Sequence, residues 1–144
     1  MKAFKTIMIL VLSGIFLHSC EEGSIFDDPR DNITGKWLVN EESSVFKKST
    51  DGDIYEVNIT KHPTDSSAVY VGNFYNLGKG SEVKVFLEDL NLSIPVQNVA
   101  GYTILGGNGY VTSNYKKISL SYNVDLGLGG EGDDVQAEYS RPEK

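Results

Sequence analysis

The sequence predicts an all-β fold in which about eight antiparallel strands, between residues 35 and 144, close into an up-and-down barrel. From Gly35 onward, apolar and polar residues alternate with a period of two, which is typical of strands with one buried face. Turn signals rich in Gly, Asn and Asp separate these segments at short intervals, and no long helical pattern interrupts them. Closing eight such strands into a barrel removes exposed edges. A flattened barrel or a β-sandwich is the alternative.

The alternation places each strand along the chain. In the first strand Trp37 and Val39 share one face, and in the last strand Val135, Ala137 and Tyr139 do the same. The predicted strands cover residues 36–40, 55–59, 69–75, 82–88, 90–97, 102–105, 118–123 and 135–140. The turn signals between them read STDGD, KHPTDSS, NLGKGS, LEDLN, GGNG and GLGGEGDD.

Residues 1–19 have the layout of an export signal. Lys2 and Lys5 make a basic start, and the run from Ile7 to Leu17 is apolar except for a Ser-Gly pair. A membrane-spanning helix needs about 20 apolar residues, so this run is too short for a permanent anchor. The sequence therefore predicts a signal peptide that directs export and is then removed.

Residues 17–20, Leu-His-Ser-Cys, resemble the lipobox of bacterial lipoproteins. The resemblance implies that the thiol of Cys20 receives a diacylglyceryl group and that cleavage makes Cys20 the first residue of the mature protein. Cys20 is the only cysteine, so no disulfide can form within the chain. Two or more acyl chains hold a protein stably at a membrane, which makes the membrane the first expected partner. A soluble secreted protein with Cys20 near the cut by chance is the alternative.

Residues 20–34 form the predicted tether and a short capping turn ahead of the barrel domain, residues 35–144. The stretch EEGSIFDDPRDN is polar and rich in turn-forming residues. Within it, Asp28 is the predicted N-cap of a helical turn, with Pro29 at the first helical position and Asp31 three residues after the cap. A calcium site at these acidic residues is the alternative to capping.

The mature chain is acidic, which limits its partners. Removal of residues 1–19 takes away Lys2 and Lys5, so the formal charge falls from −7 to −9. Nucleic acid is excluded as a partner, because phosphate binding needs clustered Lys and Arg. A single domain of this length buries roughly two-thirds of its surface, so we expect it to fold without a metal or another cofactor.

Gly35, Lys36 and Trp37, at the head of the first strand, resemble the G-x-W signature of the lipocalin superfamily. The resemblance implies a lipocalin-like barrel in which Trp37 closes one end and an arginine from near the last strand, here Arg141, lies across its ring. With the segments DPRDNITGKW, NFYNLG and IPVQ, the mature chain resembles the small lipocalin-like lipoproteins of Bacteroidota, a family whose role is unassigned. The span from Gly35 to Arg141 is short for a lipocalin, so we expect a shallow barrel.

The two glutamates directly after Cys20 resemble the surface-export signals of Bacteroidota lipoproteins. The resemblance implies that the protein is lipid-anchored at the cell outer membrane. A periplasmic orientation and a surface-exposed orientation both stay open.

Residues 127–132, GLGGEG, match the fingerprint of a dinucleotide-binding loop. That loop needs a βαβ unit in which a helix N-terminus meets the pyrophosphate. Here only twelve residues follow the match, and Glu131, Asp133 and Asp134 would repel phosphate groups. The segment is therefore predicted to be a hairpin loop.

His62, Asp65 and Ser66 have the composition of a catalytic triad, but they share a short segment with a proline and are interpreted as turn formers. His62 is also the only histidine of the mature chain, so no zinc site is predicted. The acidic pair Glu41 and Glu42 is placed in a linker or turn. The sequence therefore predicts that the protein is not an enzyme.

Tyrosine is the residue type in excess, with eight copies in the chain. A tyrosine combines a large apolar area with a hydroxyl group, so it suits a barrel interior and a binding rim alike. Ordinary sheet packing is the expected role of most of them. The tyrosines beside loops are the candidate rim contacts: Tyr75, Tyr102, Tyr110 and Tyr115.

Two functions follow as expectations. The first is a lipid-anchored binding protein that holds a small or medium ligand, a glycan or a lipid, in a shallow barrel mouth. The second is a protein-interaction module, such as an inhibitor or an accessory subunit of an envelope complex, with a packed core. An interior volume of about 300 Å³ or more would favour ligand binding, whereas an interior filled by side chains would favour interaction.

Overall fold

The computed structural model describes residues 27–46, 54–130 and 132–143. The predicted signal peptide and Cys20 lie outside these residues. Within the described ranges, no helix has the length and apolar character needed to cross a membrane.

In the described part of the chain, nine strands form one antiparallel sheet that closes on itself. The first strand pairs with the second and also with the last, which joins the two edges. The predicted all-β fold and its up-and-down barrel are thereby confirmed. The strands are β1 (Gly35–Ser43), β2 (Tyr55–Lys61), β3 (Ala68–Gly72), β4 (Glu82–Glu88), β5 (Asn91–Ile94), β6 (Gln97–Val99), β7 (Tyr102–Val111), β8 (Lys117–Asp125) and β9 (Asp133–Ser140), and two 3-10 helices cover Pro29–Asn32 and Phe74–Asn76.

The ring has eight positions because β5 and β6 are two pieces of one barrel strand, both paired with β7. The continuous strand predicted over residues 90–97 is therefore wrong. Pro95 breaks it, since proline has no N–H for the ladder, and Val96 points outward with 68% of its surface exposed. The amide of Gln97 bridges the break: its Oε1 accepts from the N–H of Lys84 at 2.8 Å and its Nε2 donates to the Lys84 carbonyl at 2.9 Å.

Two glycines that the sequence analysis placed in a turn, the GGNG segment, lie inside β7. A Cβ at Gly107 would lie 2.5 Å from Cβ of Tyr122, and a Cβ at Gly109 would lie 2.1 Å from the carbonyl oxygen of Ser119. The turn prediction is wrong because these glycines serve the close approach of β8 to β7 rather than a change of chain direction.

The period-two alternation is confirmed by burial on the inner face of most strands. Large apolar side chains fill the barrel, and burying each contributes about 1.5–3 kcal/mol. Trp37, Phe74 and Tyr139 are the largest, at 1% exposure or less. The other fully buried core residues include Ile33, Val39, Val57, Val69, Val83, Val85, Ile104, Ile118 and Val124.

The two ends of the barrel differ. We call the end that carries Trp37, where β1 begins and β9 ends, the tryptophan end, and the opposite end, where β1 ends and β9 begins, the glutamate end. The chain joins the barrel at the tryptophan end, because Arg30 in the first 3-10 helix donates hydrogen bonds to the carbonyls of Asp65 (2.8 Å), His62 and Ala68 (both 3.2 Å) in the β2–β3 turn.

The predicted cap at Asp28 is confirmed. Its carboxylate accepts a hydrogen bond from the N–H of Arg30 at 3.0 Å and pairs with the Arg30 guanidinium at 2.7 Å. Lys61 bridges Asp28 at 3.2 Å and Asp31 at 2.6 Å. The acids considered as a calcium site are therefore engaged by cations of the chain itself. In the part of the chain that the structure describes, no group of three or more His, Cys, Asp or Glu side chains could hold a metal ion.

At the glutamate end, residues 73–81 fold over the barrel as a plug. Phe74 inserts into the core, with its ring 4.6 Å from the ring of Tyr122. Asn73, Tyr75 and Asn76 have φ values of 59°, 54° and 56°, in the left-handed region. The strand predicted to run to Tyr75 instead ends at Gly72, because this backbone cannot continue a sheet.

Candidate functional site

At the tryptophan end, Arg141 lies over Trp37, where the sequence analysis expected it. Its guanidinium carbon is 4.0 Å from the centre of the indole ring. The guanidinium also donates to the carbonyls of Thr34 at 2.9 Å and Asn32 at 2.8 Å. Burial lowers the pKa of Arg141 from its ordinary value. This arrangement closes the barrel end.

The G-x-W triplet has a clear physical basis at this end. Gly35 adopts φ +101°, which favours glycine, and a Cβ there would lie 3.3 Å from Nη1 of Arg141. The indole N–H of Trp37 donates to the carbonyl of Ile33 at 2.8 Å. The glycine thus leaves room for the guanidinium, and the indole ties the barrel to the segment before it.

The four candidate rim tyrosines do not form one rim. Tyr75 and Tyr102 come together at the glutamate end, where their rings meet edge to face at 6.5 Å. Tyr110 and Tyr115 lie at the tryptophan end: Tyr110 is 54% exposed near the end of β7, and Tyr115 occupies the β7–β8 turn. Only the first pair therefore borders a shared surface.

A buried carboxylate lies inside the glutamate end. Glu41 is 3% exposed on the inner face of β1, and the hydroxyls of Tyr55 and Tyr122 both donate to its Oε1. Burial raises the pKa of both hydroxyls, and the nearby Glu41 charge raises it further. The placement of Glu41 in a linker or turn is wrong. Its spacing of two from Val39 and Trp37 was the signal that it faces the interior.

Tyr139 adds a third hydroxyl to this interior region. It is 1% exposed on β9, and its hydroxyl has no hydrogen-bond partner in the structure. Burial raises its pKa, and the charge of Glu41 adds to the rise. An unpaired buried hydroxyl costs about 1–3 kcal/mol, so this part of the core is not optimised for packing alone.

Asp133, at the start of β9, ties the loops of the glutamate end together. It is fully buried and accepts hydrogen bonds from the hydroxyl of Ser43 at 2.6 Å, the N–H of Val45 at 2.9 Å and the hydroxyl of Tyr75 at 2.5 Å. Burial opposes its ionisation, but these hydrogen bonds outweigh burial and lower the pKa of Asp133. The β1–β2 loop, the plug and β9 are therefore held by one side chain.

A recess of about 200 Å³ opens above Glu41 at this end. A carboxylate, a hydroxyl, an amide and two aromatic rings surround it, and no cationic side chain is among these lining residues. The recess can therefore accept hydrogen bonds from a small polar group. Its lining residues are Glu41, Ser43, Phe46, Tyr75 and Asn76.

The remaining predicted motifs are structural in the described part of the chain. Nδ1 of His62 accepts hydrogen bonds from the N–H groups of Thr64 and Asp65 within the β2–β3 turn. The carboxylate of Asp65 binds Ser67 and pairs with Lys84 at 2.7 Å, rather than orienting His62. The predicted hairpin loop at residues 127–132 is confirmed, because β8 and β9 pair antiparallel on either side of it.

Comparison of the sequence with protein-family models found no matching family, and comparison with curated proteins found no match.

Proposed function

We propose that the protein is a lipid-anchored binding protein of the cell envelope, held at the outer membrane by acylated Cys20. A small polar group of its ligand enters the recess at the glutamate end. The observation that carries this proposal is the buried Glu41 carboxylate with two tyrosine hydroxyls beneath the recess. The filled interior alone favours an interaction module, but a carboxylate is costly to bury, so the presence of Glu41 beneath the recess favours a binding role.

The size and lining of the recess narrow the ligand. Its volume of about 200 Å³ is below the roughly 300 Å³ at which ligand pockets begin, so only part of a ligand fits. The buried carboxylate favours a hydroxyl-bearing or amine-bearing group over an acyl chain. Of the two ligand classes expected from the sequence, the recess therefore favours a glycan over a lipid.

Exchange of Glu41 for Gln tests the recess. Glu41→Gln keeps the side-chain volume but removes the charge, so we expect about a tenfold loss of affinity for a bound glycan. The control is Glu42→Gln, the same change at the exposed neighbour on the outer face. Full-length protein in detergent would be screened on arrays of glycans and lipids. Equal binding by both variants, or binding to no spot, would contradict the proposal.

The second candidate, a protein-interaction module, is favoured by exposed apolar residues at the same end. They are Val45 (48%), Phe46 (53%), Ile54 (65%) and Leu128 (84%). Apolar side chains at the rim of a filled barrel suit contact with another protein. Affinity purification from envelope extracts separates the two functions, because Leu128→Ser would reduce recovery of a protein partner and Glu41→Gln would not.

A further inference from the structure

A larger concave surface lies on the outside of the barrel wall, separate from the recess. It encloses about 440 Å³, which is within the roughly 300–1,000 Å³ typical of ligand pockets. Its residues come from β2, the end of β3, the plug segment and the start of β4. They are Glu56, Asn58, Thr60, Gly72, Asn73, Lys79 and Glu82.

The floor of this cleft is open because one strand residue lacks a side chain. Gly72 pairs in register with Asn58 on the neighbouring strand. A Cβ at Gly72 would lie 3.5 Å from the carbonyl oxygen of Asn58, an ordinary van der Waals distance. The backbone at Gly72 therefore has room for a side chain. The glycine leaves the floor of the cleft open, and the fold does not need it to avoid a steric clash.

One wall of the cleft is fixed by Asn73. Its Nδ2 donates to the carbonyl of Glu56 at 2.8 Å, and its Oδ1 accepts from the N–H of Gly78 at 2.8 Å. These bonds hold the plug segment against β2. The cleft is therefore preformed, which lowers the entropy cost of binding.

The polar groups of the cleft are available to a ligand. Among the described residues, no hydrogen bond engages the side chains of Asn58 and Thr60, and no ion pair engages Lys79 or Glu82. Together they offer amide, hydroxyl, ammonium and carboxylate groups, both donors and acceptors. Glu56 is paired with Lys36 at 2.9 Å, so the net charge of the cleft is small.

These features exclude several ligand classes. Among the described residues that line the cleft, none has an apolar side chain, which argues against an acyl chain. Both edges of β2 and of β3 are already paired, so an extended peptide cannot add a strand there. Lys79 is balanced by Glu82, so the cleft has no excess positive charge to attract an anion. A neutral ligand with many hydroxyl groups matches the mixed donors and acceptors.

We propose that this outer cleft binds a neutral saccharide through Asn58, Thr60 and the open floor at Gly72. No aromatic ring lines the cleft, so the sugar gains no stacking and each site binds weakly. Presentation of many copies on one surface raises the apparent affinity. The cleft is a site separate from the recess, because it lies on the opposite face of the barrel wall.

Full-length protein displayed on liposomes would be applied to an array of neutral oligosaccharides, with sialylated and sulfated glycans as the charged set. We expect binding to neutral spots. Gly72→Val fills the floor with a residue that favours strands and should reduce this binding at least about tenfold, and Asn58→Ala, which removes one hydrogen-bonding side chain, several-fold.

Matched variants control for general effects on the fold. Asn91→Ala makes the same change at an exposed strand residue outside the cleft, and Gly130→Val adds the same side chain in open space. Both should bind as the unchanged protein does. The proposal is overturned by an absence of binding to neutral glycans, by binding to charged glycans only, or by equal binding of Gly72→Val.

Discussion

Arg141 stacks on Trp37 at the tryptophan end, and both side chains donate hydrogen bonds to carbonyls of residues 32–34. Arg141→Ala should destabilise the fold by about 0.5–2 kcal/mol through the lost cation–π contact, and more through the lost hydrogen bonds. Trp37→Ala should cost about 3–5 kcal/mol and nearly unfold the domain. Trp37→Leu, which removes the aromatic face but keeps an apolar side chain, is therefore the partner variant for a double-mutant cycle.

We expect the two substitutions to be non-additive, because they share one contact. Urea unfolding followed by circular dichroism measures the four free energies of unfolding. Arg141→Lys is an informative control, since lysine keeps the charge but loses the planar fork that stacks and donates at once. A coupling energy within error of zero would show that the stacking does not contribute to closure.

Asp28 gives the tryptophan end a pH dependence. The hydrogen bond from the Arg30 side chain lowers its pKa, more than burial raises it. A carboxyl group whose pKa is lowered in the folded state stabilises the fold fully above the ordinary aspartate pKa of about 3.9 and loses this contribution as the pH falls below it. Stability should therefore fall in that acid range.

Asp28→Asn should make the acid dependence shallower, because asparagine can still cap the helical turn but cannot titrate. Urea unfolding between about pH 2.5 and pH 6 measures the effect. The control is Asp27→Asn at the exposed neighbouring position, which should retain the full slope. An unchanged slope in Asp28→Asn would contradict the assignment.

Among the elements, the strands with regular alternation could be predicted from the sequence because burial follows the period of two. Where a strand or turn prediction is wrong, the cause is local and cannot be seen in the alternation of apolar and polar residues. Gly107 and Gly109 fit a turn and a close approach of two strands equally well. Only the position of the neighbouring strand β8 distinguishes the two. By the period of two, Phe74 would share the outer face with Tyr70 and Gly72, yet the left-handed backbone on both sides of it turns its ring into the core.

At the break between β5 and β6, the side chain of Gln97 forms the two hydrogen bonds to the β4 backbone that a strand would otherwise form. Gln97→Ala removes two hydrogen bonds to the Lys84 backbone, so we expect a loss of about 1–3 kcal/mol in the free energy of unfolding. Gln136→Ala, at an exposed position of β9, should cost less. Hydrogen exchange of the Lys84 amide measures the local effect, and unchanged protection of that amide would rule out the bridging role.

At the scale of the whole molecule, barrel closure could be predicted, because the G-x-W triplet and Arg141 mark where the first and last strands meet. The polar interior could not. Glu41 meets Tyr55 and Tyr122 only after β1, β2 and β8 are placed around the same ring, and these residues are far apart in the chain. The outer cleft could not be predicted either, because its open floor depends on the strand register that places Gly72 opposite Asn58.

The position of residues 27–34 gives the barrel an orientation. From the proposed acylation of Cys20 we expect the tryptophan end to lie nearer the membrane and the glutamate end to face away, about 20 Å farther out for strands of this length and usual tilt. Ser113→Cys labels the β7–β8 turn at the first end, and Leu128→Cys labels the β8–β9 loop at the second.

A fluorophore on each cysteine, read against a quencher in the lipid headgroups, tests this orientation. The proposed acylation of Cys20 would leave the introduced thiol as the only reactive one, because the chain has no other cysteine. We expect stronger quenching at residue 113 than at residue 128. The same quenching at both sites, or no quenching at either, would contradict the orientation.

The stacked indole at the tryptophan end is also the only tryptophan of the chain. Its fluorescence therefore reports on that end alone, and a fully buried ring should emit at short wavelength until Arg141 leaves it. At the other end, the pKa values of the Tyr55 and Tyr122 hydroxyls are raised by burial, so their ionisation, which is visible in the ultraviolet, comes above the ordinary tyrosine pKa of about 10. One unlabelled sample thus contains two optical probes, which can show whether the barrel opens from one end first or from both together.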